Sequence, residues 1–137
     1  MKENSLYDRK SLRAVLGKTA DFNELAKDCV AFSNAQGGVI DIGIEDNNIL
    51  PPEGQTIPEG LTTTIVNKIS SLTNAVTVAA DVCMADNNAE YIKLHVLRSL
   101  NAVSVTSSGK IFIRIGDKSI PVGPEDIARL AEDKGCI

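Results

Sequence analysis

The chain has no tryptophan, three phenylalanines, two tyrosines and one histidine among 137 residues. Its core must therefore be built mostly from Ile, Val, Leu and Ala rather than aromatic rings. No apolar run approaches the roughly 20 residues of a membrane span. Met1-Lys2-Glu3-Asn4-Ser5 lacks the apolar stretch of a signal peptide. The three cysteines, Cys29, Cys83 and Cys136, are odd in number and widely spaced. Without a Cys-x-x-Cys or His/Cys cluster they support neither a zinc site nor a disulfide framework. No cofactor is expected. Cys29 and Cys83 read as small core residues of a reduced, cytoplasmic protein, with Cys136 exposed near the end. His95 has no nucleophile placed beside it by any motif and reads as a surface residue of a hairpin.

An excess of positive charge is also missing. Lys and Arg number 14 against 18 Asp and Glu, a net charge of −4. Binding nucleic acid by bulk electrostatics is disfavoured, and any such binding needs a local basic patch. What is present is 43% hydrophobic residues in a length that suits one domain with a real core.

Residues 1–9 read as a flexible polar arm, and residues 10–135 as the domain. Periodicity leaves open whether residues 10–18 form a short strand or a helical turn. Asp21-Phe22-Asn23-Glu24 has the form of a capping box. The stripe Phe22, Leu25, Ala26, Cys29, Val30 then predicts a helix, with Gly37 placed to end it in a left-handed cap. Val39 to Ile44 predicts a strand with Ile40, Ile42 and Ile44 on one face and Asp41 on the other. Glu45 to Gly60 is a long surface loop. Leu61, Ile65, Ile69 and Leu72 mark a second helix. Val76–Met84 and Glu90–Arg98, joined by Asp86-Asn87-Asn88, predict a β-hairpin. Lys110 to Ile115 is a last strand, with Ile111, Ile113 and Ile115 on one face and Phe112 and Arg114 on the other. Pro124 suits the first turn of a final helix and Gly135 its end. The order (β)-α-β-α-β-β-β-α predicts an α+β fold, a mixed β-sheet with about three helices packed on it.

Arg114 is the leading candidate for chemistry. A mid-strand guanidinium near Lys110 and Lys118 suits bidentate phosphate binding; the alternative is a pairing with an acid such as Asp41 or Asp46 that fixes the sheet. Lys10, Arg13 and Lys18 form a basic segment that reads as a phosphate-facing strip or as a charged edge strand. Asn34, Gln36, Gly37 and Gly38 offer either a backbone anion nest or a plain helix C-cap.

Two segments carry a resemblance. Phe32-Ser33-Asn34-Ala35-Gln36-Gly37-Gly38 running on to Gly43 and Asp46 resembles the A-F-A-N-x-x-G-G-x-x-x-x-G-x-x-D core of the Schlafen AlbA_2 family. Phe112-Ile113-Arg114-Ile115-Gly116-Asp117-Lys118-Ser119, followed by Gly123-Pro124-Glu125-Asp126-Ile127, resembles that family's y-x-R-x-G-s-s-x-x-x-a-s-x-e-e-I ending. The resemblance spans roughly residues 8–133. It implies an AlbA_2-like fold, favours a strand within residues 10–18, and implies a DNA-binding domain, with RNA as the alternative ligand, of a prokaryotic transcriptional regulator without catalysis of its own. It also implies that the chain is a domain excised from a longer multidomain protein, with other domains or a homodimer as partners and no membrane association. A protein-interaction or dimerisation module is the second reading. Some Schlafen relatives are ribonucleases that use three acids. Here the first falls on Asp8 and the third on Asp46, but the second falls on Arg13, which cannot ligate a metal, so a metal-dependent nuclease is the third reading.

Overall fold

The computed structural model describes residues 3–136. Its α+β architecture is built around a four-stranded mixed sheet. Strand β1 (Tyr7–Lys10) runs parallel to β2 (Gly38–Ile42), and helix α1 (Phe22–Asn34) makes the crossover that parallel strands require. A 3-10 turn, Leu12–Ala14, leads from β1 toward α1. After α2 (Leu61–Leu72) come β3 (Thr73–Asn74) and the hairpin β4 (Val78–Met84) and β5 (Glu90–Val96). The sheet order is β1-β2-β5-β4, with the β2–β5 and β5–β4 pairs antiparallel. Strand β6 (Val105–Thr106) pairs with β3. Strands β7 (Phe112–Ile115) and β8 (Lys118–Pro121) form a separate two-stranded ribbon that leads into α3 (Pro124–Asp133).

Two expectations shift. The first strand is Tyr7–Lys10, so residues 7–9 belong to the sheet rather than to a flexible arm, and the segment Lys10–Lys18 is mostly turn. The strand is short because Tyr7 and Asp8 bury opposite faces, a pattern with no apolar alternation to announce it. The last strand does not join the main sheet; it pairs with β8 and packs on α1.

The core follows the apolar stripes. Ile40, Ile42, Ile92 and Leu94 on one sheet face meet Leu25, Cys29 and Phe32 of α1 and Leu61, Ile65 and Ile69 of α2, all nearly inaccessible to water. Each such side chain contributes about 1.5–3 kcal/mol by leaving water. Helix α1 starts as expected, with the Asp21 carboxylate accepting from the Glu24 N–H at 3.1 Å. The reciprocal half of the box is absent, because the Glu24 carboxylate turns instead to Lys27, 2.6 Å away.

The end of α1 is packed against β5. The Gly37 N–H donates to the Phe32 carbonyl at 2.8 Å with Gly37 at φ +74. A Cβ at Gly37 would lie 2.7 Å from the Val96 carbonyl oxygen, and one at Gly38 would lie 2.6 Å from the Phe32 ring. Helix α3 is pinned at the same end of α1. Lys134 is buried, and its Nζ donates to the carbonyls of Ser33 at 3.0 Å and Ser99 at 3.1 Å. Burial holds its pKa below the usual lysine range, and its charge sits where the helix carbonyls favour a cation.

Replacing Gly37 by Ala combines the backbone clash with the left-handed strain, and should cost about 2 kcal/mol or more. Gly54→Ala, at φ +77 but with open space around it, should cost about 1 kcal/mol. Urea unfolding midpoints of the two variants check this difference.

Candidate nucleic-acid interface

Arg114 is not a surface residue. The strand alternation is as expected, but the face that packs on α1 is the one carrying Phe112 and Arg114, while Ile115 is 61% exposed. The guanidinium is 5% exposed and lies over the Phe32 ring, 4.5 Å from its centre. Its Nη1 stands 3.5 Å from the Asp8 carboxylate, and its Nε donates to the Asn4 carbonyl at 3.2 Å. Its Nη2 is buried without a hydrogen-bond acceptor. The acid that fixes Arg114 is thus Asp8. Asp41 serves elsewhere, accepting from the Tyr7 hydroxyl at 2.7 Å and from Lys93 at 3.2 Å on the open side of the sheet.

Asp28 is the second anchor. Buried in α1, it accepts from the Ser119 hydroxyl of β8 at 2.6 Å and pairs with Lys10 of β1 at 2.7 Å. Burial draws the Lys10 pKa down, but the Asp28 charge and hydrogen bond outweigh it, leaving Lys10 above its usual value. Asp8 moves the other way. Burial pushes it up to about 7, helped by the hydrogen bond it donates to Glu3 when protonated. That same bond holds Glu3 below the usual carboxylate range. Lys10 lies 3.9 Å from Asp8 and is committed chiefly to Asp28, so it offsets little of the burial cost.

Around this cluster lies a cleft of about 600 Å³. It brings together Lys10, Arg13, Arg114 and Lys118 with Asp8 and Asp46. Lys110 lies in a neighbouring groove of about 260 Å³, and Lys27, with Glu24, lines both. Lys18 is exposed on the turn after Ala14 and lines neither. Arg13, Lys110 and Lys118 reach solvent; Arg13 holds only an exposed pair with Glu45 at 3.3 Å. Carboxylates slightly outnumber cations along the cleft, so its floor does not attract an anion. Among the described residues, no three carboxylate, imidazole or thiolate groups converge as metal ligands do.

The proposed anion nest is filled by the protein itself. The Asn34 side chain donates to the carbonyls of Ser104 and Phe112, both at 2.9 Å, and accepts from the Ser104 N–H at 2.7 Å. The space beside Gly37 and Gly38 is taken by β5 and Phe32. These residues close the fold and leave no concavity for a ligand. Asp28, Glu3 and Lys27 escaped the sequence reading. A usable signal existed for Asp28, which falls three residues after Leu25 and four before Phe32, on the buried stripe of α1.

The two motifs therefore meet in space. Phe32 carries Arg114, and Asn34 holds β7 by the Phe112 carbonyl. The Schlafen AlbA_2 family profile matches residues 3–123. The chain belongs to the Schlafen AlbA_2 family. Among solved structures it is similar to the DIP2311 protein of Corynebacterium diphtheriae, with a TM-score of 0.59 and 20% identity over 86% of this chain and 25% of that one. At that identity the likeness concerns the fold alone, and the AlbA_2 chain spans about a quarter of that protein's length. No match emerges among curated proteins. No helix among the described residues is long and apolar enough to cross a membrane.

Two outcomes follow for this AlbA_2 cluster. Arg114→Gln leaves an ionised Asp8 buried without its partner and should lower stability by about 3 kcal/mol in urea titration above pH 7, where Asp8 is charged. Because folded Asp8 holds a proton between its ordinary value of 3.8 and about 7, the folded state is the more protonated one in that window. Stability should therefore fall as pH rises from about 4 to 7. The lowered Glu3 acts in the opposite sense, its stabilisation being lost as pH falls below the ordinary glutamate range. In thermal melts across pH 5 to 7.5, Asp8→Asn should flatten the decline seen in the parent.

Proposed function

We propose that this AlbA_2 domain binds nucleic acid, DNA in the first instance, through the phosphate backbone, as part of a cytoplasmic transcriptional regulator and without catalysis of its own. The observation that supports this is the row of cations Arg13, Lys118, Lys27 and Lys110 along the rim of two adjoining grooves. Arg13 and Lys27 pair with the surface carboxylates Glu45 and Glu24, and such exposed pairs are weak enough to exchange for phosphate. Arg114 and Lys10 hold the platform and do not contact the ligand. Contacts of this kind position a duplex without reading its sequence.

The carboxylates of the cleft favour a second reading, a protein-interaction module whose partner presents basic side chains to Glu45, Asp46 and Asp117. A metal-dependent nuclease is the third, with Asp8 tied to Arg114 and with Arg13 where a relative's second acid falls.

Fluorescence anisotropy of a short labelled duplex across a salt series tests the first reading. Four rim cations imply a slope of log affinity against log salt of roughly −2 to −4. Lys118→Glu should weaken binding by about tenfold with unchanged thermal stability. Absence of salt-dependent binding would turn the assignment to the interaction module. Cleavage that needs Mg²⁺ or Mn²⁺ and is lost in Asp46→Asn would turn it to the nuclease.

A further inference from the structure

The two edges of the main sheet are finished differently. On the β1 edge the preceding residues fold back: the Asn4 N–H donates to the Tyr7 carbonyl at 2.8 Å, and the Glu3 carboxylate takes the Arg9 N–H at 3.2 Å. The β4 edge has no such cover. Leu97 donates to the Thr77 carbonyl at 3.0 Å and Ala85 to the Ala89 carbonyl at 2.9 Å, which fixes the hydrogen-bonded pairs of the β4–β5 ladder at Ala79, Asp81 and Cys83. Val78, Ala80, Val82 and Met84 therefore turn their N–H and C=O groups outward, and among the described residues no strand pairs with them. No Pro, no Lys and no bulge interrupts the seven residues, and Asp81 is the one charged side chain among them.

The side chains beside this edge are those of a contact surface. Val82 is 49% exposed and Met84 66% exposed, both on the helix side of the sheet. Next to them, between α2 and β4, is a groove of about 200 Å³ lined by Thr62, Thr63, Val66, Asn67 and Ala80, with no charged residue. Charge is depleted at the centre of protein interfaces.

We propose that β4 pairs antiparallel with β4 of a second copy, on a two-fold axis through Val82, to make one continuous eight-stranded sheet. Three two-fold registers bring outward-facing groups together over five or more of the seven β4 residues, and the side chains choose between them. An axis through Asp81 sets that carboxylate directly against the partner's Asp81, a like-charge contact. An axis through Ala80 leaves Met84 beyond the paired stretch. An axis through Val82 places Ala80 opposite the partner's Met84. The exposed thioether side chain then lies on the helix face at the uncharged groove, and the symmetry repeats the contact on the other side. The pairing buries both exposed apolar residues of the strand and satisfies their free backbone groups. It rests on no property of the rim cations.

Sedimentation velocity of the reduced chain over a concentration series tests this. The expected result is a monomer–dimer equilibrium that Val82→Lys weakens at least about tenfold without lowering the melting temperature. In a Cys83→Ser/Cys136→Ser background, Val82→Cys should form a disulfide-linked dimer faster than Ala80→Cys, since directly opposed residues lie about 5.5 Å apart. A chain that stays monomeric to about millimolar concentration, a dimer indifferent to Val82→Lys, or preferential cross-linking through Ala80→Cys would each overturn the proposal.

Discussion

A buried ionic cluster holds the pieces of this fold in place. Arg114 of β7 pairs with Asp8 of β1, Lys10 of β1 pairs with Asp28 of α1, and Ser119 of β8 is bound to Asp28. This cluster joins the ribbon β7–β8, the edge of the main sheet and the crossover helix. Such a cluster adds little to stability over a well-packed apolar one, because desolvating the charges offsets their attraction. What it does is fix position. A ribbon that shares no strand with the main sheet has no backbone ladder to set its register against it. The fork of a guanidinium over Phe32 and the two oxygens of Asp28 supply that register instead.

The same constraint explains the residues that mark the family. Phe32, Asn34, Gly37, Gly38 and Arg114 look at first like an anion-binding set, since they combine a charged donor, an amide and two glycines. In the fold they are a single brace. Gly38 admits the Phe32 ring, the ring carries Arg114, Gly37 lets the chain pass beneath the Val96 carbonyl, and Asn34 ties α1 to Ser104 and β7. With the brace spent on architecture, ligand contact is left to residues outside it. These are the rim cations Arg13, Lys27, Lys110 and Lys118, which among the described residues hold exposed carboxylate partners or none. A net negative chain can in this way present a positive rim, provided the buried Lys10 and Arg114 are neutralised within the cluster.

Periodicity was legible wherever one face of an element is apolar. The stripes of α1 and α2, the alternation of Ile40, Ile42, Ile92 and Leu94, and the hairpin turn at Asp86-Asn87-Asn88 all appear in the structure as the residues dictate. The strand Tyr7–Lys10 was illegible because both of its faces are buried and one of them is charged. The ribbon β7–β8 could be read as strands but not as a separate sheet, since pairing partners are a matter of long-range contact. At the site, Lys10, Arg13, Arg114 and Lys118 were each legible as cations, and the cleft does gather them. Their division into buried supports and exposed rim was not.

By itself the sequence determined the family, the α+β class, the helix and hairpin positions and the apolar core, because these depend on local pattern and on which side chains avoid water. Only the tertiary structure decided what the charges do. Arg114 lies 106 residues from Asp8 in the chain, and Ser119 lies 91 from Asp28. The meaning of a charge is set by its neighbours and its exposure. Those neighbours come from segments that no local pattern links, and they meet only when α1 lays its polar side against the ribbon.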